Sequence, residues 1–272
     1  MELMKLNLST GKSGAVCRFP EPIKARSLGT ISPDGRFYAY GVVTDDKYRE
    51  FGIEMVDIKT GKRQIIDRDP YILNPHPQFE PSEGKQIMVQ HNRGGKIDEN
   101  GNRIRLTGEE GATLYLLDVS NGNRTTLQVG IPYTTRCTGH ESWIGDTKEM
   151  LLSVSASGDF APEKGNLLGV KAGKPARVVS KGYRYAHVGT SVSGEFFCCD
   201  DGATGDVVIG SIKTGKNAVV CHSESSFGSA QNTHPHPYLT PDLKWVIFNS
   251  DRSGEPQIHA ATVPDGMVEA LA

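Results

Sequence analysis

Apolar and polar side chains alternate along Ile53-Glu54-Met55-Val56-Asp57-Ile58-Lys59, and Thr60-Gly61 ends the run. Successive residues of a strand point to opposite faces, so this alternation, bounded by turn residues, predicts a β-strand. Upstream, Ser32-Pro33-Asp34-Gly35 has the composition of a tight turn and opens onto Arg36-Phe37-Tyr38-Ala39-Tyr40, a second strand rich in aromatic side chains. Both phrases recur. Weaker copies of the first are Pro81-Ser82-Glu83-Gly84, Ile144-Gly145-Asp146-Thr147, Ser191-Val192-Ser193-Gly194 and Thr240-Pro241-Asp242-Leu243. Their last residues fall at 35, 84, 147, 194 and 243, at intervals of 49, 63, 47 and 49. The closing phrase returns as Leu6-Asn7-Leu8-Ser9-Thr10-Gly11-Lys12, as Leu117-Asp118-Val119-Ser120-Asn121-Gly122 and as Gly210-Ser211-Ile212-Lys213-Thr214-Gly215-Lys216. The one long interval holds a polar, glycine-rich insert from roughly Gly94 to Ala112.

A period in the forties with four strands per unit is the pattern of β-propeller blades. No segment carries a long 3.6-residue apolar period, which removes an α/β reading. The expectation is an all-β chain, a single β-propeller domain over residues 1–272, with about five and a half blades of four antiparallel strands. The half blade, Met1 to about Pro20, supplies only the two outer strands. A propeller closes into a ring, so the count leads us to expect further residues upstream of Met1 in the natural protein.

Composition narrows the function. Thirty Lys+Arg against 32 Asp+Glu leave a net charge of −2, which removes the electrostatic argument for nucleic acid or an anionic membrane surface as partner. No run approaches the ~20 apolar residues of a membrane span, and Met1-Glu2-Leu3-Met4-Lys5-Leu6 lacks a signal-peptide core. Cys17, Cys137, Cys198, Cys199 and Cys221 are odd in number and form no CxxC pair. That argues against a disulfide framework or thiolate zinc and for a reducing, cytoplasmic setting.

The strand that opens each blade lines the central channel, and histidine clusters in the segments leading into it. These segments are Cys137-Thr138-Gly139-His140-Glu141-Ser142-Trp143, Tyr185-Ala186-His187-Val188-Gly189-Thr190, Gln231-Asn232-Thr233-His234-Pro235-His236-Pro237 and Asn74-Pro75-His76-Pro77-Gln78-Phe79. On a strand, His234 and His236 would face one side, stiffened by Pro235 and Pro237. With His187 from the neighbouring blade and Gln231 as an oxygen donor, the set is three nitrogens and one oxygen, all neutral, suited to Mn, Fe, Ni or Zn. The bland reading makes the His-Pro-His-Pro run a rigid lead into a strand. His222 and His259 fall in outer-strand phrases and read as structural.

The Gln231-x-x-His234-x-His236-Pro237 box, followed by Thr240-Pro241-Asp242 and Phe248-Asn249-Ser250-Asp251-Arg252, resembles the oligogalacturonate lyase family, seven-bladed propellers acting on short pectin fragments. Gly139-His140-Glu141-x-Trp143, His187 ahead of its Ser-Val-Ser-Gly turn, and His76-Pro77-Gln78-Phe79-x-Pro81 extend the resemblance from about Leu3 to the end. It implies that His187, Gln231, His234 and His236 bind a divalent metal, usually manganese, and that His140 abstracts a proton. It also implies a small acidic oligosaccharide as partner and family members longer by about a blade and a half at the N-terminus. One departure stands out: where the family carries a catalytic arginine, this chain has Thr113. Arg93, Arg103 and Arg105 are the nearest arginines, and Arg93 is the catalytic candidate among them. Candidate substrate contacts are His76, His91, Trp143 and Arg136, with Arg184 a further cation near a blade opening. The bland reading of these arginines is a solvated blade edge, and of His91 an exposed loop position.

The chemistry implied is β-elimination across a uronic acid: a base removes the C5 proton and the C4 oxygen departs. A divalent cation on the carboxylate would offset the charge that develops there, and histidine, with an unperturbed pKa near ~6.5, is a base at neutral pH. Competing readings are a non-catalytic scaffold of the TolB kind and a related lyase for a different uronic sugar, the pocket wall reshaped by the insert. A serine-peptidase propeller is disfavoured by the absence of a Gly-x-Ser-x-Gly elbow.

Overall fold

A computed structural model describes residues 2–21 and 23–272, Ser27 by its backbone alone; Met1, where the expected half blade begins, and Pro22 lie outside the described residues. The repeated phrases are turns held by their own side chains. In the closing phrase an Asn or Asp accepts the backbone N–H groups two and three residues on. Asn7 accepts from Ser9 and Thr10 at 3.0 and 3.1 Å, and Asp57 from Lys59 and Thr60 at 3.0 Å each. The glycine at the fifth position then donates back, Gly61 N–H to Asp57 O and Gly215 N–H to Ser211 O, at 2.8 and 2.9 Å. Only glycine fits there. Gly215 has φ +72° and its missing Cβ would stand 2.7 Å from the Val179 carbonyl of the preceding sheet. The opening phrase is also local: Gly35 N–H donates to Ser32 O, and Asp34 accepts the Ser32 hydroxyl.

Between these turns the chain meanders, so that sheet order follows sequence order. After a hairpin of Glu2–Leu6 and Ser13–Arg18, the first blade is Lys24–Ile31, Phe37–Val43, Phe51–Asp57 and Arg63–Asp69. The second is Gln78–Phe79, Gln86–Asn92, Ala112–Asp118 and Arg124–Thr126, and its insert forms a small ladder of Lys96–Ile97 with Arg103–Arg105. The third is Cys137–Trp143, Met150–Val154, Leu167–Val170 and Arg177–Ser180; the fourth is Tyr185–Thr190, Phe196–Asp201, Asp206–Ser211 and Asn217–His222. The fifth departs from the expected four strands. Among the described residues it has three, Tyr238–Leu239, Trp245–Ser250 and Gln257–Thr262, followed by the helix Met267–Leu271. The architecture is of the β-propeller class, and the chain divides into two compact units, Met1–Leu127 and Gln128–Ala272.

The alternation along residues 53–59 does not leave one face wet: Phe51–Asp57 is buried but for the half-buried Met55, with Glu54 2% exposed, and the other middle strands are likewise covered on both faces. Phe196–Asp201 is buried throughout. Phe197 and Cys199 pack with Leu151, Leu167 and Tyr185 of the third and fourth blades, whereas Phe196 and Cys198 pack with Leu239, Val246 and Phe248 of the fifth. A buried aromatic of this kind contributes about 1.5–3 kcal/mol through the area it removes from water. The first unit repeats the arrangement, with Phe51, Ile53, Ile87, Val89 and Tyr115 in one core. No helix among the described residues is long and apolar enough to cross a membrane.

Candidate metal centre

The opening strands of the third and fourth blades are bulged. Across the third, Cys137 pairs with Val154 but Glu141 with Leu152, so Thr138-Gly139-His140 carries the excess, with Gly139 at φ +86°. Across the fourth, Tyr185 pairs with Asp201 and Val188 with Cys199, which bulges the chain at Ala186-His187. A bulge releases backbone groups from the ladder and re-aims a side chain. Here the released His187 N–H donates to Asp200 Oδ1 at 2.8 Å, and the His187 ring Nδ1 lies 2.9 Å from both Asp200 oxygens. The Thr138 hydroxyl bonds Ser153, whose own hydroxyl donates to Ala186 O at 2.6 Å, so the two bulges are tied together.

His234 and His236 arrive differently from the strand geometry expected for them. They precede the strand Tyr238–Leu239, and His236 sits at φ +42°, a region rarely occupied by residues with side chains. Their rings come together, 6.0 Å between centroids and inclined by 12°, through that kink and not through strand alternation. The kink is anchored where Pro235 O accepts Asn249 N–H at 2.8 Å. Gln231 lies in the short 3-10 turn just before, its Oε1 3.2 Å from His236 Nε2.

One ring nitrogen from each of His187, His234 and His236 lies within 4.8 Å of the other two. Their tautomers follow from their outer partners. The Asp200 carboxylate can only accept, so His187 carries its proton on Nδ1 and turns the lone pair of Nε2 inward. His234 Nε2 meets the Gly228 carbonyl at 2.8 Å, so its proton is there and Nδ1 is bare. The two bare nitrogens face each other at 3.4 Å, which is not a hydrogen bond because neither has a proton to give. Two acceptors held together call for a cation, and nitrogens about 2.1 Å from a shared ion would be roughly 3.0–3.4 Å apart at ordinary coordination angles. Burial, then the neighbouring His187, hold the His236 imidazole down to about 4, against the opposing pull of Asp200, so it too is a neutral donor. The donor set therefore fits a divalent metal.

His140 stands against this trio, its ring centroid 4.2 Å from that of His187 and 5.8 Å from that of His236. Trp143 is only 7% exposed, which leaves little of its indole to meet a ligand as expected from the sequence. Arg136 is exposed where the third blade begins. The remaining candidates belong to the first unit. His76 repeats the kink of His236, at φ +43°, with its Nε2 2.9 Å from Asn74 Nδ2. His91 is bonded to Asp69 at 3.0 Å and set edge-on to Tyr71 and Tyr115. Arg93 braces the insert, donating to Gly111 O and Glu110 O at 3.1 and 2.7 Å, and Thr113 pairs with His91 in the ladder. Asp200 was missed in reading the sequence; its only signal was an acidic residue in the otherwise apolar stretch Phe196-Phe197-Cys198-Cys199.

Fold and centre together define a β-propeller with a neutral, histidine-rich centre whose donors suit a metal. No family model matches the chain. The chain is 26% identical over 222 residues, 78% of its length, to the oligogalacturonate lyase of Dickeya dadantii (strain 3937), and 43% identical over 60 residues to the oligogalacturonide lyase of Pectobacterium atrosepticum. The first match spans 55% of the Dickeya protein and the second 16% of the Pectobacterium one, so the chain covers about half or less of these curated relatives. Among solved structures, an oligogalacturonate lyase in complex with manganese superposes over 97% of the chain and 72% of its own length, with TM-score 0.76 and 17% identity. An oligogalacturonate lyase from Vibrio parahaemolyticus gives TM-score 0.70 at 20% identity, over 97% and 73%. TolB from Acinetobacter baumannii gives 0.57 at 17%, over 96% and 59%. In sequence the chain is thus similar to oligogalacturonate lyases, and it shares the fold of the solved ones.

Proposed function

We propose that this chain is a metal-dependent lyase that cleaves oligogalacturonides or related oligouronides by β-elimination, with manganese held by His187, Gln231, His234 and His236. The observation that carries the reading is the pair of bare nitrogens, His187 Nε2 and His234 Nδ1, facing each other at 3.4 Å with their tautomers set from outside. The names of the Dickeya and Pectobacterium relatives and the manganese complex of a structural neighbour support it. When bound, the cation supplies Lewis-acid charge against the substrate carboxylate, where a second negative charge develops.

The side chains divide the rest of the work. Asp200 keeps His187 in one tautomer and one orientation, and the bulges set the His140 ring against the trio. His140 takes the C5 proton; the electron pair of that C–H bond becomes the C4–C5 double bond; the C4–O bond breaks, and the departing oxygen is protonated from solvent. The four ligand side chains are neutral and would cancel none of a bound cation's charge, and the Asp200 carboxylate beside them is fully buried behind His187.

The test follows the unsaturated product by its ultraviolet absorbance on oligogalacturonides. His140→Ala lowers turnover roughly 100-fold or more, the range for losing a general base, while manganese binding persists. Wild-type turnover in His140→Ala removes the base assignment, and a wild-type protein that holds no manganese after chelation and reloading removes the reading as a whole.

A further inference from the structure

We propose that Asp251 is a positioning residue for the metal centre: by latching the loop from Ser223 to Gly228 it keeps the Gly228 carbonyl on His234 Nε2, and so leaves His234 Nδ1 bare for the ion. The proposal rests on the metal reading above and names what holds one of its ligands ready.

The residues that end the strand Trp245–Ser250 hold His234 from two sides. On one, Asn249 N–H donates to Pro235 O at 2.8 Å and fixes the backbone beside the ring. On the other, Asn249 O accepts the Ser225 hydroxyl at 3.1 Å, and the Asp251 carboxylate accepts Ser226 N–H at 2.8 Å on one oxygen and the Ser226 hydroxyl on the other. The start of the loop is secured separately, where Ser223 O accepts from the Ser250 hydroxyl and the Arg252 guanidinium at 2.7 and 2.9 Å. Two residues past Ser226, Gly228 O meets His234 Nε2 at 2.8 Å. Latch and carbonyl are packed as one piece: a Cβ on Gly228 would stand 3.4 Å from Ser226 Oγ and 3.2 Å from Thr233 Oγ1. Glu224 and Phe227 both lie in the left-handed region, at φ +54° and +51°. Residues with side chains pay free energy to stay there, so contacts outside the loop must hold its shape.

The His234 tautomer needs that hold. With no ion between them, His187 Nε2 and His234 Nδ1 set two lone pairs against each other at 3.4 Å. Asp200 keeps the His187 proton on Nδ1, so the relief open to the pair is for His234 to carry its proton on Nδ1 and donate it to His187. That arrangement closes the centre with a hydrogen bond and puts a proton where the ion would bind. The Gly228 carbonyl can only accept, and it opposes the shift for as long as it stays at Nε2. The latch works through shape: Asn at position 251 still accepts Ser226 N–H and offers its amide to Ser226 Oγ, whereas Ala offers neither.

Manganese titrated calorimetrically into the chelator-treated protein, and nitrogen-15 NMR of the same protein with labelled histidine, decide the matter. Asp251→Ala raises the manganese Kd roughly tenfold or more, the range for losing an outer partner of a ligating histidine, and moves the His234 proton to Nδ1. Asp251→Asn recovers most of both. Asp242→Ala is the control: its carboxylate also accepts a hydroxyl and a backbone N–H, from Thr240 and Lys244, but at the other end of the strand, and its loss moves neither readout. A folded Asp251→Ala protein that keeps the proton on Nε2, or binds manganese within twofold of wild type, overturns the latch, as does an equal loss of affinity in Asp242→Ala. Where Asp251→Ala does not fold, Ser226→Ala breaks the hydroxyl half of the latch; shifts of the same sign uphold the proposal and none overturns it. If wild type binds no manganese, the metal reading fails and the position of the His234 proton alone decides the latch.

Discussion

Replacing Asp200 by Asn tests how the metal site is built. The side chain is fully buried, and it accepts both the backbone N–H and the ring Nδ1 of His187. Asn has nearly the same shape but offers an acceptor on one side and a donor on the other. Turned with its amide toward the ring, it stabilises the tautomer with the proton on Nε2, the nitrogen that faces His234. Turned the other way, it holds the ring in place without the charge that raises its basicity. Outer partners of metal-bound histidines are worth about 10–100-fold in affinity, or about 1.4–2.7 kcal/mol. Titrating manganese calorimetrically into the chelator-treated protein should show a Kd raised by that factor. Asp201→Asn is the control: its neighbouring carboxylate accepts the Ala203 N–H in a turn, so manganese affinity stays at the wild-type value. A folded Asp200→Asn protein, judged by its thermal melt, that binds manganese within twofold of wild type would refute the reasoning.

Other outcomes follow from single contacts. Asn166→Ala removes a buried side chain that donates to the Val154 and Tyr185 carbonyls and accepts Tyr185 N–H, joining the third and fourth blades; a loss of about 1–3 kcal/mol in denaturant unfolding is expected, and an unchanged midpoint would contradict it. Gly215→Ala forces a Cβ at φ +72° against Val179 O and lowers the melting temperature by several degrees, on the order of 1–3 kcal/mol; an unchanged melt would show that the turn relaxes without strain. Burial opposes ionisation of Asp69, but hydrogen bonds from His91 and Arg124 overcome it and hold its carboxyl well below the usual range. A depressed carboxyl stabilises the fold above its unfolded pKa of about 3.9 and loses that contribution as pH falls toward the folded value. Asp69→Asn therefore destabilises more at pH 7 than at pH 3; an equal effect at both would show that charge is not what matters.

The turns were legible because each is a local bargain among five consecutive residues: Asn7, Asp57 and Asp118 accept from backbone two and three positions on, and a glycine closes the loop. Such contacts depend on nothing distant, so their spacing exposes the blades. The three imidazoles and Gln231 were also legible as a set, although the reason offered for His234 and His236 was strand alternation, and the kink at His236 replaces it. The kink recurs at both histidines set between two prolines, His76 and His236, but a residue ahead of proline is ordinarily extended, so the motif reads as strand rather than as a kink.

Residue types and intervals thus determined the β-propeller class and the short list of candidate metal ligands, since both are written in local chemistry and a repeated period. Tertiary structure alone decided which lone pairs meet. Asp200 reaches His187 across a bulged ladder, the Gly228 carbonyl sets the tautomer of His234, and Ser153 ties the bulge of His140 to that of His187. Each of these depends on strand register, and register is settled by the burial of Phe197, Cys199 and their neighbours between sheets, a cooperative quantity that no single stretch of chain contains.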